Sequence, residues 1–386
     1  MIFIRNDLGK ISKKKLYFAS KNTTMDPNFF KMSYYSYELP VEFIARQPTS
    51  KRDNSRLLVL HRKSSRVEHR KFSEITEFLN SGDVLVLNDT KVIPAMITSY
   101  RKTGGKVEAL VIKEVKEGVW EMLLKANRRI KENESLYFEN RHDVAEGFSL
   151  PHSVKGRVIS RTNTGSWMIE FRNGKEFTEV LRKSGRMPLP PYIKRNSENV
   201  TLRNEDFKRY QTVYAKKTGA IAAPTAGLHF TKGLLEKIAA KGIKITYVTL
   251  HVGLGTFKPI EKENFEEHKM HKEFYIAPKG TIEAIKKAKS DGKKIIATGT
   301  TTCKVLETVA GNSEIEENTG WTNLFIYPTY KFMLTDSLIT NFHLPGTSLI
   351  LLVSAFAGRD NIITSYETAI KHGYRFYSYG DCMLIL

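Results

Sequence analysis

Two histidines lie where the surrounding sequence favours acid–base chemistry. His229 follows a small-residue loop, residues 220–227, and precedes a helix whose free N–H groups Thr231 can cap. A helix N-terminus lowers the pKa of a nearby imidazole, which would leave His229 neutral and able to accept a proton. His251 ends a β-branched strand just before a glycine-rich loop and is the second candidate. For both residues the alternative is a histidine that only packs, His229 beside Phe230.

Asp89 and His343 extend this polar set. Asp89, in the loop NDTK, could accept hydrogen bonds from ligand hydroxyls or an ammonium group, or could only form a turn. His343 is a third acid–base candidate and follows Asn341 and Phe342. The Phe342 ring could stack on a base or attract a cation, or it could belong to the core. A general acid or base in such a set typically contributes about 10²- to 10⁴-fold to a rate.

Small and hydroxyl-bearing residues around these positions allow a ligand to approach the backbone closely. A turn of threonines that leads into a helix also offers free N–H groups to an anion or a ribose. A G-x-G-x-x-G fingerprint is absent, so an ordinary methyltransferase nucleotide loop is not indicated. The candidate ligand-binding residues are Thr225, Ala226, Gly227, Gly253, Gly255, Thr256, Thr300, Asn341 and Phe342.

One histidine pair has the spacing of metal ligands. His268 and His271 form H-x-x-H near Glu273, but no cysteine or further ligand-spaced residue accompanies them. A salt-bridged or substrate-contacting pair is the favoured interpretation, and no metal site is predicted.

The elements that must position these residues follow an α/β pattern. Residues 210–257 read as a loop, a helix, a strand over 243–250 and a second glycine loop. Downstream, the pattern predicts a helix over 281–290, a strand over 294–297, a strand at LFIYP and a closing strand in the tail. Ligands bind beside the carboxyl ends of strands in open α/β sheets, so we expect the active site there.

Residues 82–171 differ from their surroundings. Short apolar strands recur between glycine, asparagine and charged turns, which is typical of a small antiparallel barrel. The predicted fold is therefore a large mixed-sheet α/β domain, residues 32–80 and 175–386, with an inserted small antiparallel β-barrel domain, residues 81–174. Residues 1–31 read as a basic arm without a signal-peptide core, or as sequence upstream of a natural start at Met25 or Met32.

The composition limits the classes of protein to which this chain can belong. The 386 residues are 41% apolar and 26% charged, with a formal net charge of +20. Such a charge suggests a polyanionic partner, most often nucleic acid, although some organisms have basic proteomes throughout. Two cysteines exclude a disulfide framework and fit a reducing cytoplasm. The longest apolar run, 349–356, is too short to span a bilayer.

Ten segments together resemble the S-adenosylmethionine:tRNA ribosyltransferase-isomerases of queuosine biosynthesis. They occur in that family's order from Tyr37 to the C-terminus. The segments are YELPVEFIARQP, GDVLVLNDTKVIPA, PLPPYI, YQTVYAKKTGAIAAPTAGLHFT, HVGLGTFKPI, HKMHKE, GWTNLFIYP, DSLITNFHLPGTSL, LVSAFAG and YSYGD.

The resemblance implies a reaction. The ribosyl group of S-adenosylmethionine, a co-substrate, is transferred to 7-aminomethyl-7-deazaguanine at the tRNA wobble position and isomerised to epoxyqueuosine, while adenine and methionine leave. A base must first remove a proton from the carbon beside the sulfonium. The resemblance also implies a large α/β domain with an inserted barrel, and we expect a cytoplasmic monomer that needs no metal.

Recognition of a tRNA would require basic residues that bind its phosphates. It would also require anticodon-loop bases that are splayed out of their stack. Each basic residue taken singly is more often solvated surface. The candidates are Lys51, Arg52, Arg128, Arg129, Lys194, Arg195, Lys216 and Lys217.

Two positions depart from the family pattern: Lys304 replaces an expected arginine, and Thr329 an expected glycine. Three other functions remain open from the residues. A non-catalytic RNA-binding protein would explain the charge and the barrel, an S-adenosylmethionine-dependent RNA methyltransferase would share the co-substrate, and a metal-dependent hydrolase would need the histidine pair.

Overall fold

A computed structural model describes residues 26–139, 153–163, 165–193, 195, 200–253, 260–312 and 314–386. The strands are β1 (Arg56–His61), β2 (Arg66–Lys71), β3 (Val84–Asn88), β4 (Thr90–Val92), β5 (Met96–Arg101), β6 (Lys106–Lys116), β7 (Val119–Ala126), β8 (Ser135–Glu139), β9 (Ser153–Arg161), β10 (Trp167–Phe171), β11 (Lys217–Ala220), β12 (Lys244–Leu250), β13 (Glu273–Ala277), β14 (Ile295–Thr298), β15 (Asn318–Thr322), β16 (Ser337–Asn341) and β17 (Cys382–Ile385). The helices are α1 (Gly174–Ser184), α2 (Val200–Arg209), α3 (Lys232–Ala240), α4 (Lys279–Ser290), α5 (Thr300–Ala310), α6 (Ser348–Ala357) and α7 (Arg359–Lys371).

A nine-stranded mixed sheet forms the large domain. Its order is β15-β13-β12-β3-β14-β16-β17-β1-β2. The central strands β12, β3, β14 and β16 are parallel, while β17 is antiparallel to β16 and parallel to β1. The carboxyl ends of the four central strands therefore share one edge with the first residues of β17 and β1.

The sheet is covered on both faces, which explains the near-continuous apolar sequence of its central strands. In β3, Val84 and Val86 face a core built with α4, α5, α6 and α7. Leu85 and Leu87 face the opposite core, which α3 and the 3₁₀ helix Phe72–Phe78 complete. No helix among the described residues is long and apolar enough to cross a membrane.

Helix α3 forms as its sequence predicts. The Thr231 hydroxyl accepts from the Leu234 N–H at 3.1 Å and caps the first turn. Leu234 and Ile238 are buried on one face. Gly242 follows the last turn with φ +84°, a conformation that ends helices and favours glycine. The 3₁₀ helix Thr225–His229, just before α3, contacts β16 in the sheet.

The inserted domain is a closed antiparallel barrel of six strands, β10-β7-β6-β5-β8-β9. Its core continues into α1, where Phe177 stacks on Phe171 at 4.0 Å between ring centroids. A Cβ at Gly156 would lie 2.8 Å from the Ile169 side chain, so this strand position requires glycine. The predicted fold class is confirmed by the sheet and the barrel.

Three domain boundaries predicted from the sequence differ from those in the structure. Strand β3 lies inside the large sheet, because a fully apolar strand needs cover on both faces, so the insertion begins after β4 rather than at residue 81. Helix α1 packs on the barrel, so the insertion extends past residue 174. The arm likewise ends before residue 31, because Lys31 forms a β-bridge with Asn264 and Phe30 packs on Phe265.

The predicted strand LFIYP is also wrong, because the structure places the strand earlier, at β15, and residues 324–328 are irregular. Thr329, in the turn that follows, has φ +90°. That conformation favours glycine, so the threonine occupies the same kind of turn under backbone strain.

Candidate active site

A pocket opens at the edge of the sheet where the central parallel strands end. Its walls come from the 3₁₀ helix Thr225–His229, the N-terminus of α5, the end of β16 and the segment before β17. Among the residues that line it are Thr225, Ala226, Thr300, Thr301, Asn341 and His343, together with Tyr210, Val252, Tyr377 and Ser378. Four predicted ligand-binding residues and one predicted catalytic histidine are thus brought together.

The first turn of α5 faces this pocket. Gly299 precedes the helix with φ +87° and ψ +154°, a region essentially limited to glycine. The first backbone N–H groups of a helix have no partner within it, and here they belong to threonines. Asn88, at the end of β3, donates to the Thr301 hydroxyl at 3.2 Å and fixes this turn against the sheet. The predicted anion- or hydroxyl-binding turn therefore lines the pocket.

Asn341 contributes an unpaired acceptor. Its Nδ2 donates to the Tyr377 carbonyl at 3.1 Å, which fixes the orientation of the amide because a carbonyl can only accept. The residue is 3% exposed, and its Oδ1 has no hydrogen-bond partner among the described residues. A buried acceptor left without a partner costs about 1–3 kcal/mol, so a ligand donor at this position would be stabilised.

His229 lies directly behind Asn341. Its Nε2 is 3.3 Å from the Asn341 Nδ2, which must donate, so Nε2 accepts and the proton is on Nδ1. Nδ1 is 2.7 Å from the Ser55 hydroxyl, and that hydroxyl donates in turn to the Arg52 carbonyl. Burial, reinforced by Arg375 and Arg52, lowers the pKa of His229 to about 3. The imidazole is neutral as expected, although the main cause is burial rather than a helix end.

The location of His229 changes its predicted role. It does not line the pocket but borders a second cleft, formed with Arg52, Arg209 and Tyr379. Both of its ring nitrogens are already hydrogen-bonded. A base that removes a proton from a ligand in the pocket would need a free nitrogen there, so His229 is suited to orienting Asn341.

His251 and Asp89 form a separate cluster beyond the end of β12. His251 Nδ1 is 2.7 Å from the Thr90 hydroxyl, and burial lowers its pKa while the charge of Asp89 opposes that change. Asp89 is buried and accepts from the Thr249 hydroxyl at 2.6 Å. A Cβ at Gly219 would lie 2.8 Å from His251 Nε2, so glycine allows the ring to lie against the backbone.

His343 lines the pocket, but Phe342 does not. Burial lowers the pKa of His343 to about 3, and its Nε2 is 2.8 Å from the Thr340 hydroxyl. The Phe342 ring is fully buried and packs on Phe376 and Tyr366, with centroids 4.8 and 5.2 Å away. The ring is therefore not available to stack on a ligand, because Phe342 directly follows β16 and packs in the core against α7 and the segment before β17.

The glycines that were predicted to contact a ligand also differ in what surrounds them. A Cβ at Gly227 would lie 2.1 Å from the Tyr214 hydroxyl, so this glycine is required by internal packing and not by a ligand. Gly253 has open space beside it, and its N–H donates to Glu273 at 3.3 Å. Gly255 and Thr256 lie outside the described residues.

A buried ion pair fixes the glycine loop to α5. Lys304 Nζ is 2.7 Å from a Glu273 oxygen, and both side chains are at most 10% exposed. The other Glu273 oxygen accepts from Gly253. Lysine at this position therefore makes a single charged contact, where an arginine could have made two.

The residues predicted to bind phosphates divide into side chains that donate to acceptors within the protein and side chains that are exposed. The Arg52 guanidinium donates to the carbonyls of Leu228, Lys208 and Gln211, and that of Arg195 donates to both oxygens of Asp206. Internal acceptors thus use most of these donors, which gives both arginines a structural role, and their phosphate contacts stay a prediction. Lys194 lies outside the described residues. The exposed candidates are Lys51, Arg128, Arg129, Lys216 and Lys217.

The H-x-x-H pair is not helical. The 3₁₀ helix Phe265–Glu267 ends before it, and the His268 ring contacts Phe325, with centroids 5.5 Å apart. Among the residues that the structure describes, no group of three or more His, Cys, Asp or Glu side chains could hold a metal ion.

A family model described as "Queuosine biosynthesis protein" matches residues 32–385. The chain belongs to this family. A relative from Acetivibrio thermocellus named S-adenosylmethionine:tRNA ribosyltransferase-isomerase is 48% identical over 357 residues, 92% of this chain and 99% of the relative. A relative of the same name from Thermotoga maritima is 46% identical, over 92% of this chain and all of its own.

A solved structure supports the fold of this queuosine-family chain. The crystal structure of the S-adenosylmethionine tRNA ribosyltransferase from Thermotoga maritima matches with a TM-score of 0.51 and 36% identity, over 92% of this chain and 100% of that one. The resemblance carried by the ten segments is confirmed.

Sequence reasoning missed three residues of the site. Ser55 and the Tyr377 carbonyl orient His229 and Asn341, and Thr340 bonds His343. The segment YSYGD had signalled the region of Tyr377, but no local pattern connects Ser55 to a histidine far along the chain.

Proposed function

We propose that this protein transfers and isomerises the ribosyl group of S-adenosylmethionine onto 7-aminomethyl-7-deazaguanine at the wobble position of tRNA, with release of adenine and methionine. Membership of the queuosine family supports the reaction, and the names of the relatives supply its co-substrate and acceptor. The observation that carries the proposal for the site is the pocket that joins the α5 N-terminus to the unpaired Asn341 Oδ1.

The pocket suits the charged and polar ends of S-adenosylmethionine. The methionine carboxylate is an anion, and the first turn of α5 provides N–H groups, the positive end of the helix dipole and the hydroxyls of Thr300 and Thr301. Asn341 Oδ1 can accept from an amine or hydroxyl of the ligand. Thr225 and Ala226 form the opposite wall.

The proton beside the sulfonium requires a base, and we propose His251, which lies outside the pocket but directly precedes Val252 of its wall. The pKa of His229 is about 3 and both its nitrogens are hydrogen-bonded, so it is a weak acceptor. His251 is half-buried, and the negative charge of Asp89 would stabilise the imidazolium that forms. His343, a neutral imidazole on the pocket wall, can donate only a hydrogen bond to the departing adenine.

S-adenosylmethionine labelled in adenine tests the proposal, in a mixture of the protein, EDTA and tRNA that carries the aminomethyl-deazaguanine base. Free labelled adenine that depends on this tRNA is the expected product. Labelled adenosylhomocysteine would instead mean methylation. Tight tRNA binding without turnover would support a non-catalytic RNA-binding protein.

The cellular setting is part of the proposal. Cys303 and Cys382 are free and buried, which fits a cytoplasmic protein that meets tRNA there. We also propose that the protein is a monomer. Sedimentation at micromolar concentration would reveal a dimer if this is incorrect.

A further inference from the structure

Three aromatic rings lie side by side on neighbouring strands at the edge of the large sheet. Phe274 on β13 is directly opposite Trp321 on β15, and the His251 N–H donates to the Phe274 carbonyl at 2.9 Å. Ring centroids are 5.9 Å apart between His251 and Phe274, and 5.5 Å between Phe274 and Trp321. We call these three residues the aromatic strip.

The aromatic strip lies on the face of the sheet opposite α4 and α5. Along β13 the alternate residues Glu273, Tyr275 and Ala277 are buried. Phe274 points to the other side and is only half-buried, and Trp321 is 61% exposed. Because the half-buried rings of Phe274 and His251 continue this exposed indole, the three form one contiguous aromatic surface, which is the kind that binds a partner.

Exposed lysines lie on the side of the aromatic strip formed by β4, β11 and the start of β13. Lys216 and Lys217 are exposed, and their backbone N–H groups donate to the carbonyl of Asp89. Lys91 and Lys272 are also exposed, the latter directly before β13. The charge of Glu273 is offset by Lys304 on the buried face. A polyanionic partner therefore fits this edge better than a neutral or basic one.

We propose that the aromatic strip is a stacking platform for the unpaired nucleotides that flank the modified base in the anticodon loop. This inference rests on the proposed function, because one end of the strip is the proposed base, His251. Unpaired bases expose flat faces that stack on aromatic side chains, while lysines hold the phosphates between them. Two strand spacings, about 10 Å, give the strip a length suited to successive bases.

The fluorescence emission of Trp321 provides a direct test of the platform. In a Trp120→Phe/Trp167→Phe background, Trp321 is the remaining tryptophan, and stacking of a base on the indole should quench its emission. The probe is a hairpin RNA with the anticodon-loop sequence, and the control is a fully paired duplex of equal length. Quenching by the hairpin and not by the duplex is expected. Unchanged emission with a hairpin that anisotropy shows to be bound would overturn the proposal.

Turnover supplies a second readout. Trp321→Ala should raise the KM for tRNA on the order of tenfold, with kcat and the KM for S-adenosylmethionine little changed, and Trp321→Phe should restore most of the loss. Met333→Ala, which removes an exposed apolar side chain elsewhere, is the matched control. An unchanged KM for tRNA in Trp321→Ala would contradict the platform.

The two proposals fail in different ways. A wild-type protein that binds the hairpin but releases no adenine would contradict the proposed function alone. Trp321 emission that changes with protein concentration and without RNA would identify the strip as a contact between copies of this chain, and would contradict the platform.

Discussion

At the residue scale, the site depends on side chains that are neutral or unpaired because they are buried. The Ser55–His229–Asn341 series sets the orientation of the Asn341 amide, since each partner leaves the next only one donor–acceptor pattern. The unpaired Oδ1 is the consequence of this order. His229 thereby acts on a ligand through Asn341, without direct contact.

Replacement of Asn341 tests that role. Asn341→Ala removes the acceptor and should weaken S-adenosylmethionine binding by roughly 5- to 150-fold, equivalent to about 1–3 kcal/mol. Isothermal titration calorimetry with S-adenosylmethionine measures it. Asn361→Ala is the control, because the amide nitrogen of that asparagine also donates two hydrogen bonds, here to two carbonyls, but lies away from this pocket. Equal affinity in the Asn341 variant would remove Oδ1 from the binding site.

The two buried histidines also predict a pH dependence of stability. Their folded pKa, about 3 for each, is below the ordinary 6.5, so the unfolded chain binds more protons between these values. Their stabilisation is complete above pH 6.5 and is lost as the pH falls, by about 2 kcal/mol for each histidine at pH 5.

Urea denaturation between pH 5 and 7.5 measures this dependence. His229→Gln and His343→Gln should each flatten the slope of unfolding free energy against pH, whatever their effect at pH 7.5. His271→Gln, at an exposed position, should leave the slope as it is. A wild-type slope in both buried variants would show that other groups control acid stability.

At the element scale, the N-terminus of α5 forms one wall of the proposed binding pocket. The helix can begin at Thr300 because Gly299 adopts a backbone conformation closed to other residues. The Gly299 N–H donates to the Ile339 carbonyl at 2.7 Å, which ties this turn to β16 and to the pocket wall around Asn341.

Gly299→Ala should therefore lower both the stability of the protein and its affinity for S-adenosylmethionine. The positive φ predicts strain on the order of 1–3 kcal/mol, and the added methyl group would lie 3.6 Å from the Ala226 Cβ, inside the pocket. Thermal denaturation and S-adenosylmethionine titration should both show losses. The control is Gly280→Ala in the first turn of α4, where nothing lies within 4 Å and where φ is not positive. A stable Gly299 variant with full affinity would disprove the argument.

At the scale of the whole molecule, the insertion and the large sheet meet beside the proposed active site. The parallel pair β4–β11 follows Asp89 directly, and the chain enters the barrel just after it. Exposed Lys216 and Lys217 lie on this junction, whereas Arg128 and Arg129 lie on the barrel surface. A tRNA anticodon loop at the aromatic strip would contact the junction first.

Binding of tRNA should weaken as salt increases, with a log–log slope of about 0.7 for each single-strand phosphate contact. Lys216→Ala/Lys217→Ala should reduce the slope by up to about 1.4, and Lys286→Ala/Lys287→Ala on α4 should not change it. Filter binding over a range of potassium chloride concentrations measures both. A flat response in the wild type would contradict a phosphate-contacting surface.

The sequence by itself determined the elements and the family. Periodicity and capping residues specified α3, a continuous apolar run specified β3, and short alternating strands specified the barrel, because these signals depend on neighbours along the chain. Ordered family segments specified the class of enzyme. The error at the 81 boundary arose because a strand's pattern shows that it is buried but not which sheet it joins.

Only the tertiary structure decided what each site residue contacts. Local sequence could not separate Asn341, whose Oδ1 has no partner among the described residues, from Phe342, whose ring is in the core, since both belong to one short buried stretch at the end of β16. It also could not show that Ser55 fixes the His229 tautomer, or that Arg52 and Arg195 are used internally. Those assignments depend on atoms from distant segments that meet only when the sheet is assembled.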